Sequence, residues 1–487
     1  IMVDMSATII HHGHIRLLKK AFEYGDIIVG LTTDQEIINV KGYKPELDYD
    51  SRKEILESIK YVLQVVPTSW KINNSILEKY KIDYLVHGDD NFNKIKRDKL
   101  LIFPRTEGVS SSELRIKSSD IVNKVKRNIL LNPGPATTTD TVKLAQIVPD
   151  ICPREKEFGL ILNEISEDLT SFVADKDNYS TILFGASGTA AIESILSSVL
   201  PKKNKIIIVN NGSYGDRMCK IASRYNLSYV EFKSSKISAI DVLKLEETIK
   251  TIKNISHIAL VHNETTTGLL NDIEEIGTLA KKYKLELILD AMSSYGAIPI
   301  NMEDLNISYL AASSNKNLQG LPGVSFVIAK NDSLKNLKNV QQLSYYLSLK
   351  EQYDYFKANL QTRFTPPVQT LYALKQAIIE AKTESIEKRY DRYKKSWRTL
   401  IEGINKLGLK YIVDKKTHSK IITAINLPDH IKFQELHDYF YLRGITIYPG
   451  KIDEFNTFRI ANIGAINYND INEFLFHLNS FLILKFK

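Results

Sequence analysis

Cysteine is almost absent: Cys152 and Cys219 are the only two in 487 residues. That is too few for a disulfide framework, and neither stands in a CxxC or a Cys/His cluster of zinc-site spacing, so a reducing, cytoplasmic setting is expected. Long apolar runs are missing too. Even the stretch from Phe474 to Phe486 is interrupted by His477, Asn479 and Lys485, well short of the ~20 residues that cross a bilayer, so no membrane partner is expected. There are no Gly/Pro/Ser-rich or single-residue tracts, which excludes a disordered chain. No basic stripe interleaved with aromatics is present, so nucleic acid is not an expected partner. The charge balance, 65 Lys+Arg against 57 Asp+Glu, is mild, spread along the chain, and suits phosphorylated small molecules.

What is present is enough chain for two or three domains. From Val3 to about Ser118, short apolar runs alternate with helical patterns. Asp26–Thr32 and Ile82–Gly88 read as buried strands, Ile15–Tyr24 and Ser51–Tyr61 as helices, which is the rhythm of a small parallel α/β sheet. The opening Ile1-Met-Val-Asp4 leaves a first strand shorter than the usual ~5 residues, so the start is expected to be clipped or partly represented, with Asp4 then less well placed. Ser112–Arg127 reads as a helix running into a charged connector. Strands expected at Thr181–Phe184, Ile206–Asn210, His257–His262 and Glu286–Asp290 alternate with helices in a second, larger α/β unit, with no internal repeat of the first. After Pro366 comes one long amphipathic stretch, Val368–Lys406, then strands near Ile421–Asn426 and Phe458–Ile460, a smaller α+β lobe. The expected domains are therefore 1–122, 128–365 and 366–487.

Three features of the larger unit belong to one chemistry. Gly185-Ala-Ser-Gly-Thr189 follows a strand and opens a helix, so Ser187, Gly188 and Thr189 offer backbone N–H groups and hydroxyls to a phosphate dianion. Asp290 ends the apolar strand Leu285-Glu-Leu-Ile-Leu-Asp, where a carboxylate can hold a ring nitrogen protonated. Lys316 stands in the small polar loop Ser313-Ser-Asn-Lys-Asn, where its amine can bond an aldehyde and later carry a proton. These are the needs of a pyridoxal phosphate site. Singly each is commonplace, since a Gly/Ser/Thr turn before a helix is ordinarily a cap.

In order along one chain, with their neighbouring residues, they become specific. Leu131-Asn-Pro-Gly-Pro-Ala, Asn211-Gly-Ser-Tyr-Gly-Asp-Arg217, His262-Asn-Glu-Thr-Thr-Thr-Gly268, Asp290-Ala-Met-Ser-Ser, Arg363-Phe-Thr-Pro-Pro and Tyr448-Pro-Gly-Lys through Phe458-Arg-Ile-Ala-Asn-Ile-Gly464 together resemble the class-V branch of fold-type-I aminotransferases. Within it they are most similar to the 2-aminoethylphosphonate:pyruvate aminotransferases, from about Asn128 to the C-terminus. The resemblance implies pyridoxal phosphate with Lys316 and Asp290 catalytic, Tyr214 stacked on the ring, and Thr265 near its phenolic oxygen or phosphate side. It also implies Arg459 on an anionic head group, and a homodimer in which Thr365 reaches the neighbouring subunit's cofactor phosphate. Asn317 stands where relatives often have Cys, and Asp150-Ile-Cys-Pro-Arg-Glu155 replaces another common spelling, which loosens the substrate expectation.

In the first unit, His11-His-Gly-His14 comes between a strand and a helix, so imidazoles and helix N-terminal amides converge where a triphosphate would fit. Arg52 in Ser51-Arg-Lys-Glu, His87-Gly-Asp-Asp90 and Arg105-Thr-Glu-Gly-Val-Ser-Ser-Ser112 follow in order. Residues 2–118 resemble the cytidylyltransferase superfamily, especially the glycerol-3-phosphate and ethanolamine-phosphate cytidylyltransferases and the nucleotidyltransferase domain fused to phosphoenolpyruvate mutases. The resemblance implies a Rossmann-like domain in which His11 and His14 hold and polarise CTP phosphates and Lys41 or Lys44, with Arg105, adds charge. Arg52, His87 and Asp89 are further substrate residues, and Ser110, Ser111 and Ser112 cap the last helix and reach the phosphates. Mg²⁺ would enter with CTP, its protein ligands unknown.

The expectation is a bifunctional enzyme. Phosphonoacetaldehyde and L-alanine would give 2-aminoethylphosphonate and pyruvate, reversibly, and CTP would then convert the phosphonate to CMP-2-aminoethylphosphonate plus pyrophosphate. The alternatives are a cytidylyltransferase acting on phosphoethanolamine, glycerol 3-phosphate or another phosphonate, or a catabolic transaminase carrying a non-catalytic nucleotide sensor.

Overall fold

The computed structural model describes the chain apart from residues 42, 89–92, 94, 105, 107–110, 112–126, 452–453 and 486–487. It divides into two compact units, Ile1–Lys126 and Arg127–Lys487. The helix expected over Ser112–Arg127, and the boundary expected near residue 122, fall almost wholly outside the described residues.

The first unit is a five-stranded sheet in the order Val62–Thr68, Ile27–Thr32, Met2–Met5, Leu85–Gly88, Leu100–Phe103, every pair parallel. Parallel strands are covered on both faces, which is why Ile27–Thr32 reads as an almost continuous apolar run. One face buries Val3, Leu18, Val29 and Val86, the other Met2, Val66, Leu77 and Leu85. The short first strand takes the central place, with all four residues buried. From it the chain lays Ile27–Thr32 and Val62–Thr68 on one side and then Leu85–Gly88 and Leu100–Phe103 on the other, so its carboxyl end is a topological switch point. The helices His12–Ala21 and Tyr49–Glu57 begin earlier than apolar spacing suggests, because their caps lie upstream. His11 accepts from the Gly13 N–H, and Asp48 from the Ser51 N–H at 2.8 Å.

The second unit is built on a seven-stranded sheet in the order Tyr179–Phe184, Ser325–Lys330, Ile307–Ser313, Glu286–Asp290, Ile255–Val261, Lys205–Asn210, Tyr229–Lys233. Ser325–Lys330 runs antiparallel to both its neighbours, and the remaining pairs are parallel. Two apolar layers cover its faces. A separate three-stranded antiparallel sheet, Ile422–Asn426, Thr457–Ala461 and Tyr448–Pro449, forms the core of a smaller lobe with helices over it. Two details differ from expectation. The amphipathic stretch over 368–406 is two helices, Val368–Glu384 and Ile386–Lys406, broken at Ser385, whose φ of +65° no helix interior tolerates. Ile129–Leu130 pairs in parallel with Ile445–Thr446, and Ile129 and Leu131 are buried among Phe440, Ile447 and Phe458. This opening segment thus packs in the smaller lobe rather than in the larger one.

Helix Ile273–Lys282 shows how closely the layers pack. A Cβ on Gly277 would collide with the Leu305 carbonyl oxygen, a backbone atom that cannot swing aside. Gly277→Ala improves helix propensity by about 1 kcal/mol, yet the overpacking should outweigh it and destabilise the second unit by about 1–3 kcal/mol. A denaturant midpoint equal to or above that of the wild type would contradict this packing.

Candidate active sites

The parallel strands Ile255–Val261, Glu286–Asp290 and Ile307–Ser313 end together, with Asp290 in register with Val261 and Ala311. Their carboxyl ends open on a cavity of about 410 Å³ lined by Ser187, Gly188, Thr189, Tyr214, Thr265, Asp290 and Lys316. The residues expected at this chain's own cofactor are therefore brought to one place; Thr365 is expected at the neighbouring subunit's cofactor phosphate instead. That residue is exposed and lies with Phe364 and Pro366 in a shallow recess beside Gly185, outside this cavity.

Helix Gly188–Val199 points its N-terminus into the cavity, and the Ser187 side chain makes no capping bond; the Ala190 N–H donates to the Ser187 carbonyl at 2.9 Å, and the Gly188 and Thr189 N–H groups keep their capacity for an anion. A Cβ on Gly188 would strike the Met292 sulfur, so a larger residue there would have to displace the Met292 side chain that also lines the cup. Helix Ser213–Arg224 supplies Tyr214 and, one turn on, Arg217. The Arg217 guanidinium lies 4.8 Å over the Tyr214 ring, and its Nη1 donates to Thr189 Oγ1 at 3.0 Å. Sequence reasoning did not assign Arg217. The i, i+3 spacing from Tyr214 was the available signal, since those positions share a helix face. Glu264 was also passed over. It is fully buried, accepts from the Tyr214 N–H at 3.4 Å and from Thr266 Oγ1 at 2.6 Å, and so fixes the ring's helix to the turn carrying Thr265.

Burial sets the electrostatics. It pushes the Asp290 carboxyl up to about 6, against the Met292 N–H at 3.0 Å and the nearby Arg217 and Lys316 charges, which favour the carboxylate. Burial likewise pulls the Lys316 amine down to about 8, with Asp290 opposing and Arg459 and Arg217 assisting. Lys316 Nζ donates to the Pro133 carbonyl at 2.8 Å, and a Cβ on Gly134, at φ +141°, would collide with that amine. Burial raises Glu264 as well. An uncapped helix N-terminus, a carboxylate at a strand end, an aromatic ring and an amine of lowered basicity fit pyridoxal phosphate as a set. Arg459 is buried in the middle of Thr457–Ala461, donating from Nε to the Pro449 carbonyl at 2.8 Å and from Nη1 to the Thr265 carbonyl at 3.1 Å. Three of its five N–H groups remain for an anion.

In the first unit the HxGH loop forms a reciprocal cap. Gly13 N–H donates to His11 Nδ1 at 3.1 Å and His11 N–H to His14 Nδ1 at 3.3 Å, with the two rings 4.0 Å apart. With both Nδ1 atoms accepting, each neutral imidazole carries its proton on Nε2, the form that donates to an anion. Asp4, 7% exposed, lies across the switch point with its Oδ2 at 3.5 Å from His87 Nε2 and accepting from Asn93 Nδ2 at 3.0 Å. Lys41 reaches Ser6 Oγ at 3.4 Å and lies over the Trp70 ring, Lys44 is exposed on the following loop, and Ser111 Oγ donates to the Ile9 carbonyl at 2.9 Å. Arg52 departs from the expectation of a substrate ligand. It is fully buried and donates to Leu47, Ser6 and Thr32 carbonyls and to Asp34 Oδ1, so it braces the loops behind the cleft. Asp89, Arg105, Ser110 and Ser112 lie outside the described residues. Among the described residues no group of three His, Cys, Asp or Glu could hold a metal ion, and no helix is long and apolar enough to cross a membrane.

Residues 145–452 match the aminotransferase class-V family model, and residues 6–124 match the cytidylyltransferase-like model. The bifunctional phosphonoacetaldehyde hydrolase/aminoethylphosphonate transaminase of Clostridioides difficile is 39% identical over 348 residues, covering 70% of this chain and 54% of that protein, so the chain spans about half of it. A 2-aminoethylphosphonate–pyruvate transaminase of Bacillus cereus is 38% identical over 348 residues, 71% of this chain and 95% of that protein. Among solved structures, alanine–glyoxylate aminotransferase from Nostoc sp. aligns with a TM-score of 0.70 at 22% identity, covering 77% of this chain and 100% of that one. Ureidoglycine–glyoxylate aminotransferase from Bacillus subtilis aligns at 0.68 and 23%, covering 74% and 94%, a likeness of fold. The chain belongs to the class-V aminotransferase family and carries a cytidylyltransferase-like domain ahead of its aminotransferase unit.

Proposed function

We propose that the chain is a bifunctional phosphonate enzyme. Its larger unit interconverts phosphonoacetaldehyde plus L-alanine with 2-aminoethylphosphonate plus pyruvate. Its first unit joins 2-aminoethylphosphonate to CMP from CTP and releases pyrophosphate. The observation that carries the first half is Arg459: a buried guanidinium with three N–H groups to spare, close enough to Lys316 to lower its basicity. A planar fork of this kind suits a phosphonate or carboxylate at one end of a substrate whose other end reacts at the lysine. Relatives named for this transamination support the choice of phosphonate.

Pyridoxal phosphate, when bound, supplies an electron sink that makes the substrate's amine-bearing carbon acidic. The protein does the rest. Ser187, Gly188 and Thr189 bind the phosphate, and Tyr214, steadied by Arg217, covers the ring. Asp290 holds a proton on the ring nitrogen, and Lys316 Nζ moves a proton to and from the amine-bearing carbon. An amine titrating at about 8 has a substantial neutral fraction at physiological pH, which an ordinary lysine lacks. In the first unit, a phosphonate oxygen attacks the α-phosphorus of CTP as the bond to the bridging oxygen breaks. His11 and His14 donate to the oxygens that gain charge, with Mg²⁺ carried by the nucleotide. No general base is needed, because a phosphonate dianion is already nucleophilic. Pairing the two activities directs the amine toward activation rather than breakdown.

Arg459→Lys should leave the bound cofactor's absorbance unchanged and raise KM for 2-aminoethylphosphonate about tenfold or more, because an ammonium cannot reproduce the fork. An unchanged KM would remove Arg459 from the substrate.

Asp290→Asn should cut transamination about 100-fold while stabilising the cofactor-free protein. The folded carboxyl titrates at about 6 against an ordinary value of 3.8, so the folded state binds more protons in that interval and wild-type stability falls as pH rises through it. The variant's advantage, about 3 kcal/mol at most, should be complete above pH ~6 and shrink toward pH ~4. Melting curves across that range decide it; an advantage independent of pH would contradict the assignment.

Purified protein given CTP, Mg²⁺ and 2-aminoethylphosphonate should release pyrophosphate, and His14→Ala should abolish that release without changing cofactor absorbance. Turnover of glycerol 3-phosphate or phosphoethanolamine in its place would reassign the acceptor. If neither acceptor nor phosphonate reacts but CTP alters transamination, the first unit is a sensor.

A further inference from the structure

The helix Ile386–Lys406 contributes nothing to the cavity lining, yet it holds both halves of the aminotransferase site. Arg389, 1% exposed, donates from Nη1 to the carbonyl of Asn317, the residue after Lys316, at 2.6 Å. One turn on, Arg392 Nη1 donates to the carbonyl of Gly464, five residues beyond Arg459, at 2.9 Å. Between these ties the Tyr393 hydroxyl, wholly buried, accepts from Gln319 Nε2 at 2.9 Å and from the Gly464 N–H at 2.9 Å. Both lone pairs of that oxygen are therefore used, one on each side.

The two partners are not ordinary positions. Gln319 closes the turn that starts at Lys316, its N–H donating to the Lys316 carbonyl at 3.0 Å, and it is held at φ +63°. A residue with a Cβ occupies that left-handed region only where its surroundings hold it there. Gly464 follows the Arg459 strand at φ +100°, and the same tyrosine's carbonyl accepts from Asn462 Nδ2 at 2.9 Å. One buried oxygen thus spans the lysine loop and the end of the arginine strand.

We propose that Tyr393 is a positioning residue that sets the separation between Lys316 Nζ and the Arg459 guanidinium, and through it the number of carbons a substrate carries between its amine-bearing carbon and its anionic head. The proposal rests on the transaminase reading above. Without the hydroxyl, two buried donors lose their acceptor, Gln319 is released from its strained conformation, and the lysine turn moves relative to the arginine strand. Arg389 and Arg392 keep the helix in place, so the change is one of register rather than of folding.

The test compares holoenzymes: wild type, Tyr393→Phe, Gln319→Asn, and Tyr390→Phe. Gln319→Asn suits a left-handed position but is too short to reach the hydroxyl. Tyr390→Phe removes a hydroxyl of the same helix that bonds the Ser419 carbonyl at 3.2 Å. KM and kcat are measured with 2-aminoethylphosphonate and with 3-aminopropylphosphonate, together with the pH midpoint of the bound cofactor's absorbance change. Tyr393→Phe and Gln319→Asn should raise KM for the two-carbon substrate about five- to tenfold, reduce its advantage over the three-carbon one by a similar factor, and move the midpoint by about half a pH unit. Tyr390→Phe should match wild type. If both variants keep the wild-type chain-length preference and midpoint, even with lowered melting temperatures, the clamp is structural only and the proposal is overturned. A wild type that binds cofactor without turning over either phosphonate defeats the transaminase reading instead, and the midpoints of the two variants then decide alone whether Tyr393 positions Lys316.

Discussion

The aminotransferase unit depends on one constraint: a carboxylate and an amine must be held out of water at the ends of neighbouring strands without either losing its function. Removing a charge from solvent costs more than most single contacts return, and both Asp290 and Lys316 show that cost in their displaced basicities. Each limits the displacement of the other. The rest of the site is arranged around keeping them there. The Met292 N–H holds Asp290, the Pro133 carbonyl holds Lys316, and a Cβ at Gly134 would enter the space the lysine side chain needs.

Much of this was legible in the sequence, because it is local or linear. The apolar strand that ends in Asp290, the small polar loop of Lys316 and the Gly-Ser-Gly-Thr turn before a helix each carry their reason in neighbouring residues, and their order along the chain made the family recognisable. Helix starts lie earlier than the apolar period places them, since His11 and Asp48 cap from outside it. The break at Ser385 is hidden because an amphipathic pattern continues across it; the chain turns on one backbone angle that hydrophobic spacing does not report. Arg52 shows the opposite error. A conspicuous arginine near a nucleotide motif reads as a ligand, but its guanidinium is consumed by three carbonyls and Asp34, partners that only the tertiary structure brings together.

The two units offer anions different devices, and the difference follows from what each is proposed to bind. The cofactor phosphate proposed for the second unit stays put, so a helix N-terminus left uncapped by Ser187, with Arg217 and Thr189 at its side, would be sufficient. The triphosphate proposed for the first unit must leave as pyrophosphate at every turnover. There the helix carries its own cap in the form of His11 and His14, so the Gly13 and His11 amides are held by imidazole nitrogens between ligands.

Arg217 and Arg459 extend the same reasoning to the arrangement of charge around Lys316. Two fixed cations near an amine lower its basicity, and that effect needs no contact with the amine itself. Each is anchored by neutral partners, Arg217 by the Thr189 hydroxyl and the Tyr214 ring and Arg459 by two carbonyls, so neither charge is cancelled by a carboxylate in direct contact. An ion pair at either position would have silenced the field that Lys316 experiences. Neutral anchoring therefore serves two ends at once. It keeps the guanidiniums in place, and it leaves their charge to act on the lysine.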